Sequence, residues 1–519
     1  MTIETATLLF PEILLVVLAV WVIVGGAFSQ VRSGWAWLSA ITFGSTLIIL
    51  WQQSGELGAE SVVDPNRYFP LIVDPFAQTF RSVAAFLGIL FVLGTLPNQK
   101  SKLFTESVGV IVFALVGVMI VATAGNLVLL FLGLELISIP TYILLFLGRG
   151  DKLSSEATAK YFFLSILSSA ILLYGFSMLY GVSGSTELSV IHTRLAENTN
   201  SLEWAILPLL PMAVVLILLG LCFKVAAFPF HFYAPDVYQA TTNMNAALLS
   251  VVPKLAGMVA MIRILVLSIP TQSDFQWQIL VILSMISMTV GNVAALWQKN
   301  FRRMLAYSSI ANTGYMLIGV ASAVAASNVD VPQSDGIAAT TLYVLVYSIG
   351  ALGAFAIMAY LDDSETEFSQ ISQLKGIAKR HPVVAGILSI CLFSLSGIPP
   401  LAGFWGKFLL FKSAVTIAIS SDNNVSMWFW TLLVVAAMNA AIAVAYYLRV
   451  IAAMYFEPAQ PVIEPRYLPS GSIGPGVAAA TCAFMILAAV FPGKLIKTAH
   501  DAAGDRSSHL EVTAKTDDP

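Results

Sequence analysis

Long, mainly apolar segments dominate the chain, and short polar segments separate them, as residues 13–31 and 107–134 illustrate. The hydrocarbon core of a bilayer, roughly 30 Å thick, needs about 20 apolar residues per helical crossing. In lipid every backbone N–H and C=O group needs an internal partner, which leaves helices or closed barrels. Barrel strands alternate polar and apolar residues over about 10 positions. The continuous segments found here therefore predict transmembrane helices.

The pattern predicts an all-α integral membrane protein with about 14 spans. The span centres lie near residues 18, 43, 85, 115, 136, 169, 217, 253, 286, 313, 349, 397, 441 and 482. We divide the chain into N-terminal spans 1–3 (1–105), spans 4–8 (106–270), spans 9–13 (271–458), span 14 (459–493) and a flexible polar tail without a long amphipathic helix (494–519).

Basic residues concentrate in alternate loops, which predicts the orientation because short cytoplasmic loops collect Lys and Arg. The odd-numbered loops hold Arg32, Lys100, Lys102, Arg149, Lys152, Lys299, Arg302, Arg303, Lys375, Lys379, Arg380 and Arg466. The even-numbered loops hold Arg67 and Arg194, with Lys412 at the edge of a span. We therefore expect both termini on the non-cytoplasmic side.

Composition agrees with a membrane protein, since 58% of the 519 residues are hydrophobic and 11% are charged, with a mean hydropathy of +0.84. Soluble domains carry about 25% charged residues. The net charge of −3 argues against nucleic acid as a partner. The isolated Cys222, Cys391 and Cys482 have no metal-ligand spacing, so we expect packing residues and no metal or cofactor bound by this chain. The amino terminus lacks a basic signal-peptide region, which favours a retained first span.

Four ionisable residues lie deep inside predicted spans: Glu135, Lys224, Lys254 and Lys407. Charges near the bilayer centre are costly, so such residues are candidates for function. Desolvation favours a neutral lysine, whereas a nearby carboxylate favours the charged form. A lysine whose glutamate partner approaches or withdraws can therefore exchange a proton. We predict a Glu135–Lys224 pair, with Lys254 passing the proton on and Lys407 opening the second half of the path.

Prolines accompany all three lysines, at Pro229, Pro253 and the pair Pro399 and Pro400. A proline leaves the carbonyl four residues earlier without its helical partner. The freed carbonyls belong to Val225, Leu249, Leu395 and Ser396. Broken helices are tolerated at membrane depth where protein or water satisfies the backbone. An ammonium group beside free carbonyls and water suits a proton relay.

Less specific interpretations stay open at each position. A lysine in a span can extend to the bilayer surface or can join two helices through a carboxylate. Lys160 and Arg81 lie nearer the ends of their spans, so extension to the surface is the expectation for both. His231 and Asp236 flank the predicted break after Pro229, and either form a proton exit or are ordinary polar groups of a loop.

The predicted breaks in spans 7 and 12 lie five spans apart, so they have opposite orientations. Inverted repeats of spans 4–8 and 9–13 require that arrangement. The match is imperfect, because the lysine precedes the proline in span 7 and follows it in span 12.

Three stretches resemble the signature motifs of the antiporter-like membrane subunits of complex I-type NAD(P)H–quinone oxidoreductases. They are FKVAAFPFHFYAPDVYQATT, MLAYSSIANTGYMLIGV and SGIPPLAGFWGKF. The resemblance implies fourteen helices with two inverted five-helix repeats. It also implies that Glu135, Lys224, Lys254 and Lys407 occupy the family's functional positions on helices 5, 7, 8 and 12. Lysine at the last two positions makes the chain similar to subunit 2, also called B or N, and its motifs resemble the cyanobacterial and chloroplast version.

This resemblance implies a proton-translocating subunit that carries no redox centre. Iron–sulfur clusters, the (plasto)quinone site and the entry of electrons from ferredoxin or NAD(P)H then belong to partner subunits of the membrane and peripheral arms. The expected location is the thylakoid or the bacterial plasma membrane. Two other functions stay open: a cation/proton antiporter of the Na⁺/H⁺ type, and a membrane scaffold whose buried charges only join helices.

Overall fold

The computed structural model describes residues 3–29, 31–60, 70–97, 101, 103–149, 151–197, 209–269, 274–329, 331–362, 368–458 and 473–504. These residues form α-helices joined by short connections, and the part of the chain that is described contains isolated β-bridges but no β-strand. Segment 98–102, apart from residue 101, lies outside this description, as do 459–472 and 505–519.

The described residues of the first half of the chain form eleven α-helices. They are α1 (Ile3–Leu8), α2 (Phe10–Phe28), α3 (Arg32–Glu60), α4 (Pro75–Thr95), α5 (Phe104–Thr123), α6 (Leu127–Gly148), α7 (Lys152–Ser183), α8 (Leu188–Glu197), α9 (Leu209–Lys224), α10 (Tyr233–Ala240) and α11 (Asn243–Met261), which continues as a π-helix (Ile262–Val266).

Nine α-helices follow in the described residues of the second half. They are α12 (Phe275–Leu296), α13 (Phe301–Ala325), α14 (Gln333–Leu361), α15 (Ile377–Arg380), α16 (Pro382–Ser396), α17 (Ala402–Ser420), α18 (Asn423–Phe456), α19 (Ile473–Ala488) and α20 (Gly493–Ala503). Within the described residues, 12 helices are long and apolar enough to cross a membrane, and α19 with α20 forms a thirteenth candidate that is bent by 93°.

The predicted spans coincide with these helices, and the all-helical membrane fold is confirmed. Span 7 consists of the short helix α9, an irregular segment and α10. Span 12 consists of α16, a break and α17. Spans 7 and 12 are thus interrupted, as expected, whereas the symmetry relating the two groups of five spans stays a prediction.

Polar side chains begin several helices at the predicted loops. The Asp74 side chain accepts a hydrogen bond from the backbone N–H of Ala77 at the start of α4. Asn126 and Asp151 cap α6 and α7 in the same way, and Thr242 caps α11. Each cap satisfies a backbone donor that has no partner inside the helix.

Burial differs sharply between central and peripheral helices. The most apolar stretches of α11 and α13 are 100% buried, whereas those of α2, α3 and α18 are 33–39% buried. The peripheral helices expose large apolar residues such as Trp21 and Val434, as expected for lipid-facing surfaces. The centre of the protein therefore consists of α11, which carries Lys254, and α13.

Two sequence predictions about helix bounds are wrong. Pro253 does not break its helix, because α11 runs through it without interruption. The tail of 494–519 is also not polar coil throughout, since residues 493–503 form the amphipathic helix α20. Ala499 and Ala503 bury one face of α20, which packs against α14 and α4.

Arg81 is also buried and does not extend to the membrane surface. Its guanidinium donates to both carboxylate oxygens of Glu12 at 2.7 and 2.9 Å, and also donates to the Gln78 side chain and the Leu8 carbonyl. This pair joins α2 to α4. No local pattern predicted this pair, because Glu12 lies 69 residues away from Arg81 in the chain.

Candidate functional site

The interruption of span 7 places Lys224 at the end of α9. The chain then leaves the helix through Val225 and reaches Pro229 in an irregular segment. The Val225 carbonyl, which Pro229 was predicted to free, accepts a hydrogen bond from Thr313 Oγ1 at 2.9 Å. A side chain of α13 therefore replaces the missing helical donor.

Lys224 contacts three polar groups in the space beside this break. Its Nζ donates to Glu135 Oε1 at 3.0 Å, to Ser138 Oγ at 2.7 Å and to Ser169 Oγ at 3.0 Å. Ser169 Oγ also donates to Glu135 Oε1 at 2.5 Å. The Lys224 side chain is 5% exposed and that of Glu135 is 23% exposed. The predicted Glu135–Lys224 pair is therefore formed, with two hydroxyls completing the ammonium's shell.

This arrangement suits reversible transfer of a proton. The three donors of an ammonium are matched by three oxygen acceptors, so the charged lysine is fully hydrogen-bonded. If the carboxylate moves away, the remaining hydroxyls can donate as well as accept, and they suit a neutral amine. Because Glu135 is the more exposed partner, movement of its side chain is less restricted than movement of Lys224.

Lys254 lies on the buried helix α11 and is 1% exposed. Its Nζ donates to Ser309 Oγ of α13, and the Tyr347 ring lies 5.8 Å from Nζ. The Tyr238 hydroxyl lies 3.4 Å from the same Ser309 oxygen. Within the described part of the chain no carboxylate pairs with Lys254, so hydroxyls and an aromatic ring surround this lysine.

The break in span 12 surrounds Lys407. Its Nζ donates to the carbonyl of Ser396 at 2.8 Å and to that of Leu395 at 3.4 Å. These are the carbonyls that the two prolines at 399 and 400 were predicted to free. The ring of Tyr315 lies 4.8 Å from Nζ, a distance typical of cation–π contact.

Gly397 makes room for Lys407 at this break. It ends α16 with a φ of +84°, a left-handed conformation that glycine adopts without strain. A Cβ at this position would lie 2.7 Å from Lys407 Cδ and 3.2 Å from its Nζ. Only glycine therefore allows the lysine to lie directly against the end of α16.

Helix α13 contacts the surroundings of all three lysines, a role that was not predicted from the sequence. Thr313 satisfies the backbone beside Lys224, Ser309 accepts from Lys254, and Tyr315 faces Lys407. The available signal was the unusual polarity of a central span, which carries Ser308, Ser309, Asn312, Thr313 and Tyr315 within eight residues.

Further hydrogen bonds extend from α13 to α14 and α18. The Tyr343 hydroxyl donates to Asn312 Oδ1 at 2.5 Å, and Asn312 Nδ2 lies 3.2 Å from Ser308 Oγ. Ser308 Oγ in turn contacts the Tyr447 hydroxyl. These groups are buried, so a continuous set of hydroxyl and amide groups lies in the half of the protein that contains Lys407.

Asp236 and His231 lie apart from these contacts. The Asp236 carboxylate pairs with Arg303 at 2.7 Å and with Lys160 at 4.0 Å, and its side chain is 45% exposed. His231 stacks on Phe228 with ring centroids 5.8 Å apart. The structure thus connects Asp236 to Arg303 in the first turn of α13, and it brings neither residue into hydrogen-bond contact with Lys224.

Charges at the loop end of α14 have a structural role. Asp362 accepts from Asn243 Nδ2 at 2.7 Å and from the Phe368 N–H at 2.8 Å. Burial raises the pKa of Asp362 to about 6, while these hydrogen bonds and Arg302 act in the opposite direction. The contact joins the start of α11 to the end of α14.

Together these features define a class of protein: a polytopic helical membrane protein with buried lysines at two interrupted spans and one paired glutamate. The chain belongs to the family described as NADH:quinone oxidoreductase/Mrp antiporter membrane proteins, whose model matches residues 124–441. It is 33% identical to the NADH-quinone oxidoreductase subunit N of Methylobacterium nodulans over 503 residues, which cover 95% of this chain and 96% of the relative.

Solved structures contain the same fold. A chain of respiratory complex I from Thermus thermophilus is similar with a TM-score of 0.75 and 28% identity, over 94% of this chain and 98% of that one. A chain of the Mrp complex from Dietzia sp. DQ12-45-1b has a TM-score of 0.80 and 19% identity, with 97% of each chain covered. The second similarity is one of fold alone.

Proposed function

We propose that this chain translocates protons as a membrane-arm subunit of a quinone oxidoreductase complex. The observation that carries the proposal is the Glu135–Lys224 contact at the break of span 7, where a buried ammonium has one movable carboxylate partner. Full-length relatives named NADH-quinone oxidoreductase subunit N support the choice of complex.

In this proposal the proton moves between sites of different polarity. Withdrawal of Glu135 from Lys224 favours the neutral amine, because burial opposes an unpaired charge. Lys254 accepts the proton next, since the end of α9 packs against α11: a Cβ on Gly257 would lie 2.3 Å from Val225 Cγ1 and 3.8 Å from Lys224 Cβ. Lys407 receives the charge among backbone carbonyls, with the polar groups of α13 between the two sites.

The position of Asp236 favours proton uptake over the exit considered from sequence. Its partner Arg303 lies in the first turn of α13, at the end of the helix that the charge pattern predicts to be cytoplasmic. With that orientation, Asp236 and His231 lie on the side from which a bioenergetic pump takes up protons, and both termini lie on the opposite side.

The finer assignment is part of the same proposal. Two features support a subunit of the 2 or N type from a cyanobacterium or chloroplast: lysine at positions 254 and 407, and the sequences of the three motifs. Such a subunit belongs to a thylakoid complex that uses ferredoxin and plastoquinone. In either setting the redox groups belong to partner subunits, and this chain contributes the proton step.

Cation/proton antiport is the second candidate, since the matching family includes Mrp antiporters. Antiporters of other folds coordinate Na⁺ with exposed carbonyls and helix ends. Here the carbonyls of Leu395 and Ser396 already bind an ammonium, and Glu135 is engaged by Lys224. Because these oxygens already accept hydrogen bonds from lysines, they are not free to coordinate Na⁺, and this favours proton transport over Na⁺ transport.

Lys224→Ala tests the proposal in the intact complex. The change removes the titrating amine, so we expect quinone-coupled proton translocation to fall at least tenfold in sealed vesicles while the complex still assembles. Lys412→Ala is the control, because Lys412 is exposed on α17 and takes no part in the proposed path. Translocation in Lys224→Ala at the rate of the control variant would show that this lysine carries no proton.

A native gel with mass spectrometry distinguishes the candidate functions. Co-migration with iron–sulfur and hydrophobic partner subunits supports the oxidoreductase, and the identity of the partners separates ferredoxin from NADH as the electron source. Migration with antiporter-type partners alone supports ion exchange. Loss of the complex in Lys224→Ala but not in the control variant supports the scaffold interpretation.

A further inference from the structure

A cavity of about 540 Å³ lies between α4, α14 and α19, away from the three lysines. Its walls are mainly apolar, and Phe86, Leu345, Ile349 and Met485 are among the lining residues. It extends to Ala402, the first residue of α17 beside the break of span 12. The cavity therefore spans a considerable part of the bilayer depth.

Several polar lining residues lie at one end of the cavity, whereas Ser348 lies deeper along α14. Ser54 lies at the end of the apolar part of α3, and Asp74 lies at the start of α4. Thr498 and Asp501 belong to α20, which lies across the same end at 93° to α19. An amphipathic helix of this kind is typical of the boundary between headgroups and acyl chains. The cavity thus has a polar mouth and an apolar body.

We infer that this cavity binds one acyl chain of a membrane phospholipid. An empty apolar cavity forfeits dispersion contacts along its whole wall, and water needs two to four polar partners to stay in such a space. The apolar body offers few partners of that kind, while hydrocarbon is the surrounding solvent at this depth. An acyl chain satisfies both conditions.

Two exposed lysines at the mouth can attract a phosphate group, although the carboxylate of Asp501 also lines it. Lys494 and Lys497 are exposed on α20 and directly precede Leu495 and Thr498, which line the cavity. Basic residues on an interfacial helix attract anionic lipid groups. The carboxylate of Asp74 is already neutralised by two hydrogen bonds from Arg263, each 2.9 Å long. The phospholipid therefore enters with its phosphate beside the two lysines.

Other occupants fit less well. A transmembrane helix about 10 Å wide and 30 Å long occupies roughly four times the volume of the cavity. The last residues of the chain, 505–519, are mainly polar and do not match an apolar wall. One flexible hydrocarbon chain matches both the volume and the polarity.

The test uses the complete chain in phospholipid nanodiscs, with a diazirine placed along the acyl chain of the phospholipid. After irradiation, mass spectrometry locates the labelled residues. We expect label on Leu345, Ile349 and Met485 as well as on lipid-facing residues such as Val434. Label on Val434 without any label on the cavity residues would overturn the inference.

Two variants test the position of the bound lipid. Leu345→Trp fills the cavity and should lower its labelling about tenfold, whereas Val434→Trp on the outer face of α18 should leave it unchanged. Lys494→Glu combined with Lys497→Glu alters only exposed side chains, and should lower labelling several-fold by removing the phosphate contact. Cavity labelling that persists in the charge-reversed protein would exclude the proposed headgroup position, and persistence in a folded Leu345→Trp protein would exclude the chain site itself.

Discussion

The two interrupted spans hold their lysines by different means. In span 7, Lys224 ends the first half-helix and donates to a carboxylate and two hydroxyls. In span 12, Lys407 follows the break and donates to two backbone carbonyls beneath an aromatic ring. The free carbonyl in span 7 is satisfied by the neutral hydroxyl of Thr313, whereas in span 12 the lysine itself satisfies the free carbonyls.

The break in the helix therefore serves a different purpose in span 7 than in span 12. At Lys224 the counter-charge can move, because Glu135 belongs to another helix, so the affinity of the lysine for a proton can be changed from outside. At Lys407 the acceptors belong to the adjoining half-helix and cannot move independently of it. The first site is therefore suited to responding to a signal, and the second to holding a proton until the break itself changes geometry.

Lys407→Met should have the largest effect of the substitutions that test this comparison. It removes the titrating group and leaves two buried carbonyls without a donor, each with a penalty of about 1–3 kcal/mol. We expect at least a tenfold loss of coupled proton translocation and a lower thermal unfolding midpoint. Lys412→Met, on an exposed position of the same helix, is the control for both measurements. Wild-type translocation with only a lower midpoint would assign Lys407 to structure alone.

Gly397→Ala should disturb the second site while keeping its lysine. The left-handed backbone costs a non-glycine residue about 1–2 kcal/mol, and the new Cβ displaces Lys407 from the carbonyls of α16. We expect translocation to fall several-fold. Gly184→Ala provides a control of matched strain, since Gly184 has a φ of +65° and its Cβ would lie 2.9 Å from Arg194 Nη1. Equal loss of translocation in both variants would mean that backbone strain, and not the position of Lys407, is responsible.

Sequence alone was sufficient to predict the spans, the two interruptions and the pairing of Glu135 with Lys224. Continuous apolar segments and isolated charges are local signals, and a paired carboxylate is the simplest partner for a buried ammonium. The free carbonyls at 395 and 396 followed from the chemistry of proline in the same way.

Tertiary contacts determined what the sequence did not predict. Pro253 lies within a continuous helix, because the fully buried α11 is held on every side by neighbouring helices. Arg81 is buried since Glu12 reaches it from a distant helix. The roles of Ser309 and Tyr315 depend on which lysine each one faces, and helical periodicity carries no information about that.

Tyr315→Leu should weaken the second site by a smaller amount. The aromatic face stabilises a nearby cation by about 0.5–2 kcal/mol, so its loss should change the rate of proton translocation roughly two- to thirtyfold. Tyr315→Phe keeps the ring and removes the hydroxyl, which donates to the Ala436 carbonyl at 3.3 Å. The ring accounts for the effect if Phe preserves the rate and Leu does not, and equal losses in the two variants would assign it to the hydroxyl.

Thr313→Val should have the smallest effect, since it alters the neutral support of the first break and keeps Lys224 and its carboxylate. The Val225 carbonyl loses its donor, which should lower the free energy of unfolding by about 1–3 kcal/mol while translocation stays within about twofold of wild type. Ser322→Ala is the control on the same helix, because the Ser322 hydroxyl donates to the Ile318 carbonyl within that helix. If the two variants unfold at the same temperature, the hydroxyl of Thr313 does not support the break. If Thr313→Val instead abolishes translocation, the carbonyl of Val225 takes part in the proton path. The two breaks would then work more similarly than the different hydrogen-bond partners of Lys224 and Lys407 indicate.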